Sequence, residues 1–138
     1  MEQGAILIVG SGGIGCGWSS RAHTRCSKLS DLLLIDADET SFDMSHSAHC
    51  LHLDASGRGK GAAALPNLAA HRLNEGISKI LPLFDRSELV ILLTALGGGT
   101  GSGAAAEIAS RAKDSGSMVI SIVGQPFAEQ PLRCAISD

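Results

Sequence analysis

No apolar run in the 138-residue chain approaches the ~20 residues that a bilayer span requires. Its longest apolar stretches, Leu32 to Ile35 and Leu89 to Leu96, are far shorter, so direct membrane insertion is not expected. The N-terminus Met1-Glu2-Gln3-Gly4 lacks a basic n-region, and the apolar run after it breaks at a Gly-Ser-Gly-Gly turn. That is neither a secretory signal nor a transit peptide, and cytoplasmic residence is the default expectation. Cys16, Cys26, Cys50 and Cys134 form no C-x-x-C pair and no disulfide-dense pattern, which suits reduced thiols. An excess of positive charge is lacking: the net charge is -3 and the pI about 5.9. Without a global basic field, nucleic acid is not an expected partner, and any phosphate must be held locally.

What the chain has in excess is glycine, 17 residues of it. All but four fall in three clusters, Gly10 to Gly17, Gly57 to Gly61 and Gly97 to Gly103, with no G-x-y period and no low-complexity tract. Collagen and disorder are therefore poor fits, and the glycines belong to loops. A run of glycines lets several backbone N–H groups converge on one phosphate, because no Cβ blocks the approach. Three such loops in one short chain imply a polyphosphate. The length and the 44% apolar content suit one buried core, hence a single domain over residues 1–138.

Apolar runs alternate with helix-like segments. Ala5 to Val9, Leu32 to Ile35, Leu89 to Leu93 and Met118 to Val123 read as buried parallel strands. Helices are expected from about Gly17 to Leu29, Phe42 to Leu53, Pro66 to Leu81 and Gly101 to Ser115. Pro66 suits a first helical turn and Gly116 a position just past a helix end. Leu73, Ile77, Ile80 and Leu81 form an apolar stripe at helical spacing that should pack on the sheet. Strand, glycine loop and helix in repetition make the pattern of a Rossmann-like α/β fold with a parallel sheet, whose ligands bind beyond the carboxyl ends of the strands. The first and third glycine clusters follow strands and open helices, so both land on that edge, where helix dipoles favour an anion.

Gly10, Gly12 and Gly15 match G-x-G-x-x-G, and Asp36 or Asp38 follows about twenty residues later, where an acid can bind a ribose hydroxyl. This admits a NAD-binding reading, and the segment through LLLIDADETSFDMS also resembles the opening of ubiquitin-activating-type adenylating enzymes. Neither accounts for the second and third loops.

The third loop is more specific. GGGTGSG at Gly97 to Gly103 is similar to the tubulin signature GGGTG[ST]G, and its surroundings, VILLTALGGGTGSGAAAEIASRAKDSGSMVISIVGQPF, resemble the cell-division GTPases of the tubulin/FtsZ family. The resemblance runs from about Ile6 to Phe127: VGSGGIGCG corresponds to the first phosphate loop, IDAD to the second and SGRGKGA to the loop that reaches the γ-phosphate. It implies an α/β, Rossmann-like three-layer domain with a mostly parallel sheet, of the truncated tubulin/FtsZ N-terminal type. It also implies binding of GTP or GDP with Mg²⁺, and self-association or association with a full-length homologue.

Carried over by position, phosphate contacts come from Gly13, Ile14, Gly15, Cys16 and Gly17, and from Gly98, Gly99, Thr100, Gly101, Ser102 and Gly103. Backbone N–H groups do most of this, with Thr100 and Ser102 adding hydroxyls. Asp36 and Asp38 match the second loop, near the metal or acting through water. Gly57, Gly59 and Gly61 match the γ-phosphate loop, in which Arg58 and Lys60 bring positive charge to that phosphate or to solvent. Glu129 or Arg133 takes the ribose position.

The sequence also departs from the family pattern. Ile14 and Cys16 interrupt the first glycine run, Gly17 stands where the family has Asn, and only Pro126-Phe127 is kept of the ribose segment. The guanine pocket, the acidic loop that completes hydrolysis on a neighbouring subunit and the second domain have no counterpart in these residues. No N-x-D-x-x-D-like segment occurs, so hydrolysis by this chain alone is expected to be slow or absent. An alternative is a non-hydrolysing interaction protein that caps or modulates filaments. His46, His49 and His52 with Cys50 recur every three residues, but that spacing drifts round a helix and frames no metal site. Trp18 and Met44 read as core or packing residues, and Met118 opens a buried strand.

Overall fold

The computed structural model describes residues 5–36, 42, 49–53, 73, 76–96 and 99–125, with side chains left aside at 99–102. Five strands are joined in one sheet: β1 (Ile6–Ser11), β2 (Ser30–Asp36), β3 (His49–His52), β4 (Leu89–Ala95) and β5 (Met118–Gly124). The order is β3-β2-β1-β4-β5 and every pairing is parallel. Helix α1 (Gly12–Arg25) links β1 to β2, and α3 (Gly99–Asp114) links β4 to β5. A 3₁₀ turn at Ile77–Lys79 and the short helix α2 (Leu81–Asp85) precede β4.

The period of two along each strand sorts the core into two layers. Leu7, Val9, Leu33, Ile35, Val90 and Leu92 face Ala104, Ile108 and Ala112 of α3, together with Leu73, Ile77, Ile80, Leu83 and Phe84. Ile8, Leu32, Leu34 and Leu93 point the other way, onto Cys16 and Ala22 of α1. Covered on both sides, β1 and β2 read as continuous apolar runs rather than alternating ones. Alanines at 104, 105, 109 and 112 let α3 approach the sheet closely. The expected stripe of Leu73, Ile77, Ile80 and Leu81 does pack on the core.

Three expectations need correction. Helix α1 begins at Gly12, not near Gly17, because the chain turns at Gly12 with φ of +80° and the following glycines continue as helix. Residues 49–52, expected inside a helix, form an edge strand instead, since Leu33, Leu34, Ile35 and Asp36 of β2 supply parallel partners in register. Strand β5 is not buried: Met118 is 69% exposed, and Ile120, Ile122 and Val123 are exposed too. Among the described residues β5 has a strand neighbour on one side only, and α1 packs mainly on β1, β2 and β4. Of the expected Pro66 to Leu81 helix, only Leu73 and 76–81 lie among the described residues.

Candidate functional site

The strand order reverses between β1 and β4. From β1 the chain winds outward through β2 to β3, then returns to lay β4 on the other side of β1. In such sheets the ligand crevice lies at the carboxyl ends of the two strands flanking the reversal. Here β1 ends at Ser11 and β4 at Ala95, and Ser11 is the register partner of Thr94. The buried Thr94 Oγ1 donates to the Ser11 carbonyl at 3.2 Å, so the two ends are fixed to one another. Each runs onward into a helix within a few residues, and the N-termini of α1 and α3 therefore flank the same crevice.

Both N-termini are built to leave donors available. The first N–H groups of an α-helix have no carbonyl four residues back. Ser11 occupies the N-cap position of α1 with extended backbone, φ −122° and ψ 122°, and its side chain makes no capping hydrogen bond. The first turn of α1 carries no acid, nor does that of α3. The N–H groups of Gly12, Gly13 and Ile14, and of Gly99, Thr100 and Gly101, thus present the positive ends of two helix dipoles with no carboxylate in either first turn. Gly13 and Ile14 are exposed.

The glycines of the first loop divide by task. Gly12 supplies the left-handed turn out of β1. Gly10 and Gly15 supply close packing. A Cβ on Gly15 would run into the Leu93 carbonyl and lie 3.1 Å from Thr94 Cα, and one on Gly10 would lie 2.6 Å from the Gly15 carbonyl oxygen and 2.8 Å from Cys16 Cα. Their absence of side chain seats α1 on β1 and β4. Within the helix, the buried Ser19 Oγ donates to the Gly15 carbonyl at 2.7 Å. Gly17 differs, for a Cβ there meets nothing within 4 Å.

At five and six residues into α1, the N–H groups of Cys16 and Gly17 run along the helix toward the carbonyls of Gly12 and Gly13. The Cys16 thiol is buried against the sheet, 3.6 Å from the carbonyl oxygens of Gly10 and Ile35. Burial, reinforced by the nearby Asp36 carboxylate, pushes this thiol up to about 12. Asp36 ends β2 on the same rim and is 5% exposed; its carbonyl accepts from Leu53 N–H at 2.9 Å. Gly103 belongs to the second turn of α3.

Asp38, Gly59, Lys60, Gly61, Gly98, Glu129 and Arg133 lie outside the described residues, as do Gly57, Arg58, Met44 and His46. Of the histidine series, His49 and Cys50 are exposed on β3 and His52 sits edge-on to Phe42, with ring centroids 6.4 Å apart. No group of three metal-binding side chains occurs among the described residues. Partial loss of water around its sulfur raises the Cys50 thiol as well.

One residue at this rim escaped the sequence reading, and a second is placed differently from its core alternative. Thr94 carries the tie between β1 and β4; its signal was a polar residue closing an apolar run just before the third glycine cluster. Trp18 is 37% exposed, not a core residue, and its indole lies against the last residue of β5, Gly124.

Residues 5–136 match the family description "Tubulin/FtsZ family, GTPase domain". The chain is 30% identical over 129 residues to the cell division protein FtsZ of Haloferax mediterranei, covering 93% of this chain and 34% of that protein. It is 29% identical over 126 residues to the cell division protein FtsZ 1 of Archaeoglobus fulgidus, covering 91% and 34% respectively. A solved FtsZ dimer from M. jannaschii, described as empty, superimposes with a TM-score of 0.82 at 27% identity, over 93% of this chain and 38% of that one. The chain spans about a third of the length of the curated relatives it matches.

Proposed function

The chain belongs to the tubulin/FtsZ family, and from that membership we propose that it is the GTP- and GDP-binding module of a cell-division or cytoskeletal GTPase. The observation that carries the reading is the pair of acid-free helix N-termini flanking the β1/β4 reversal. In it the N–H groups of Gly12, Gly13 and Ile14 and those of Gly99, Thr100 and Gly101 hold the diphosphate between them. The remaining expected contacts, Gly98, Ser102, Gly59, Lys60 and Gly61 at the phosphates and Glu129 or Arg133 at the ribose, complete the proposed site. Gly15 and Cys16 act mainly by seating α1 so that its first turn faces the crevice. Residues 1–138 constitute one nucleotide-binding domain in this reading.

Mg²⁺ fits the donor set. Asp36 offers one buried carboxylate at the rim, Asp38 is the expected second, and a divalent cation with few protein ligands takes the rest of its shell from phosphate oxygens and water. When bound, it would neutralise charge on the terminal phosphates. Hydrolysis in this proposal requires an acidic loop that these residues do not include, contributed by another chain in a filament-like contact.

Calorimetric titration with GTP, ATP and NAD, each with and without Mg²⁺, tests the reading. Tight binding of GTP that weakens when Mg²⁺ is removed is expected. A clear preference for NAD would return the chain to the dinucleotide reading that Gly10, Gly12, Gly15 and Asp36 also support. Multiple-turnover phosphate release by the purified chain alone would refute the hydrolysis claim.

A second reading, an interaction protein that caps or modulates filaments of a full-length homologue, is favoured by the uncovered apolar face of β5. An exposed apolar strand at a sheet edge is a pairing surface unless it is charged or covered. Light scattering from a polymerising full-length FtsZ should change when this chain is added at stoichiometric ratio; no change would count against it.

A further inference from the structure

Trp18 is the one tryptophan in the chain, and it stands at the same rim as the two helix N-termini. Its ring lies against Gly124, where a Cβ would fall 2.7 Å from Cη2 and 3.4 Å from Cζ3. Gly124 is the last residue of β5 and pairs in register with Ala95, the last residue of β4. Glycine at 124 is thus what gives the indole its resting place. The ring rests on the end of β5 while 37% of the residue stays open to solvent.

The spacing relates this platform to the phosphate crevice. Trp18 follows Gly13 by five residues, about 7.5 Å along the axis of α1. Side chains on a helix lean toward its N-terminus, which throws the indole back toward the first turn. Ile14, one turn earlier on the same stripe, is also exposed. A ligand whose anionic end is held by the first turns of α1 and α3 meets, one strand beyond β4, a flat aromatic surface.

We propose that Trp18 is a stacking platform for the purine of a nucleoside di- or triphosphate. The inference rests on the phosphate reading given under Proposed function and adds to it the group that receives the base. A ring already braced on Gly124 loses little freedom on binding, which favours its use as a platform. Stacking is indifferent to the identity of the base because every base has a π-face. Trp18 therefore adds affinity for GTP and ATP alike and does not select guanine.

The test uses the full chain in Mg²⁺ buffer, with GTP, ATP and inorganic tripolyphosphate as probes. Trp18 is the sole tryptophan emitter, so its fluorescence reports on this position directly. GTP and ATP should quench it, whereas tripolyphosphate should bind by calorimetry and leave the emission unchanged. Trp18→Leu should weaken GTP about tenfold while moving tripolyphosphate less than about twofold, and Trp18→Phe should restore most of the loss. Thermal melts of both variants confirm that the fold survives. GTP binding without quenching, or an equal loss for GTP and tripolyphosphate in Trp18→Leu, overturns the stacking role and leaves the phosphate reading standing. Failure of all three probes to bind removes the phosphate reading and the platform with it.

Discussion

Gly15 and Gly17 lie two residues apart in one helix, and alanine at each should act in opposite directions. At Gly15 the new methyl would run into the Leu93 carbonyl and press on Thr94 Cα at 3.1 Å. Both are backbone atoms of a central strand that is paired on each side, so neither yields as a flexible side chain would. Overpacking of that kind costs about 1–3 kcal/mol, and the small gain in helix propensity offsets only part of it. At Gly17 the methyl enters open space, and alanine in place of glycine inside a helix stabilises by up to about 1 kcal/mol. The propensity gain is common to both, so the two variants should differ by the overpacking cost itself, about 1–3 kcal/mol. Urea denaturation followed by circular dichroism reads this directly, with the wild-type midpoint falling between those of the variants. If Gly15→Ala is neutral, or if both variants shift the midpoint the same way, then α1 is not seated on β4 as described. The site argument, which depends on that seating, would lose its footing.

Further consequences concern the second helix, the buried thiol and the open strand. Gly101→Val places two methyls in the first turn of α3, where backbone must approach phosphate; calorimetry should find GTP binding abolished while circular dichroism stays near wild type. The Cys16 thiol ionises near 12 when folded against 9.0 when free, so the folded state holds a proton that the unfolded state releases. Its contribution to stability is complete below pH 9 and is lost as the pH rises toward 12, with Cys50 acting in the same direction. Denaturation midpoints measured from pH 8 to 11 should fall less steeply in Cys16→Ala than in wild type, and an equal slope would contradict the assignment. Ile122→Lys, on the uncovered face of β5, should change stability by no more than about 0.5 kcal/mol yet lower the binding of a hydrophobic dye. Unchanged dye binding would mean that this face is not the exposed apolar surface.

Four of the five strands are legible because each is a mostly apolar run ended by glycine or a polar residue, and their boundaries move by only one or two residues. The start of α1 is not, for a glycine-rich stretch reads as loop on propensity alone. What overrides propensity here is tertiary: Gly10 and Gly15 let the helix lie so close to β1 and β4 that packing holds it. His49–His52 has no β-branched residue and only four positions, so nothing local announces a strand, and it exists because β2 offers an open edge. The exposure of β5 is likewise invisible in sequence, since Met118 to Val123 looks the same whether or not anything covers it. The crevice was foreseen from two glycine clusters following two strands, but the Thr94 tie and the resting place of Trp18 arise from register, which only the assembled sheet supplies.

The most direct test of the central claim is the perturbation of individual backbone amides by nuclear magnetic resonance as GTP with Mg²⁺ is added. The signals of Gly12, Gly13 and Ile14 should move together with those of Gly99, Thr100 and Gly101, all following one binding isotherm. Shifts confined to one of the two helix N-termini, or gathered elsewhere on the sheet, would contradict a shared phosphate site at the β1/β4 reversal.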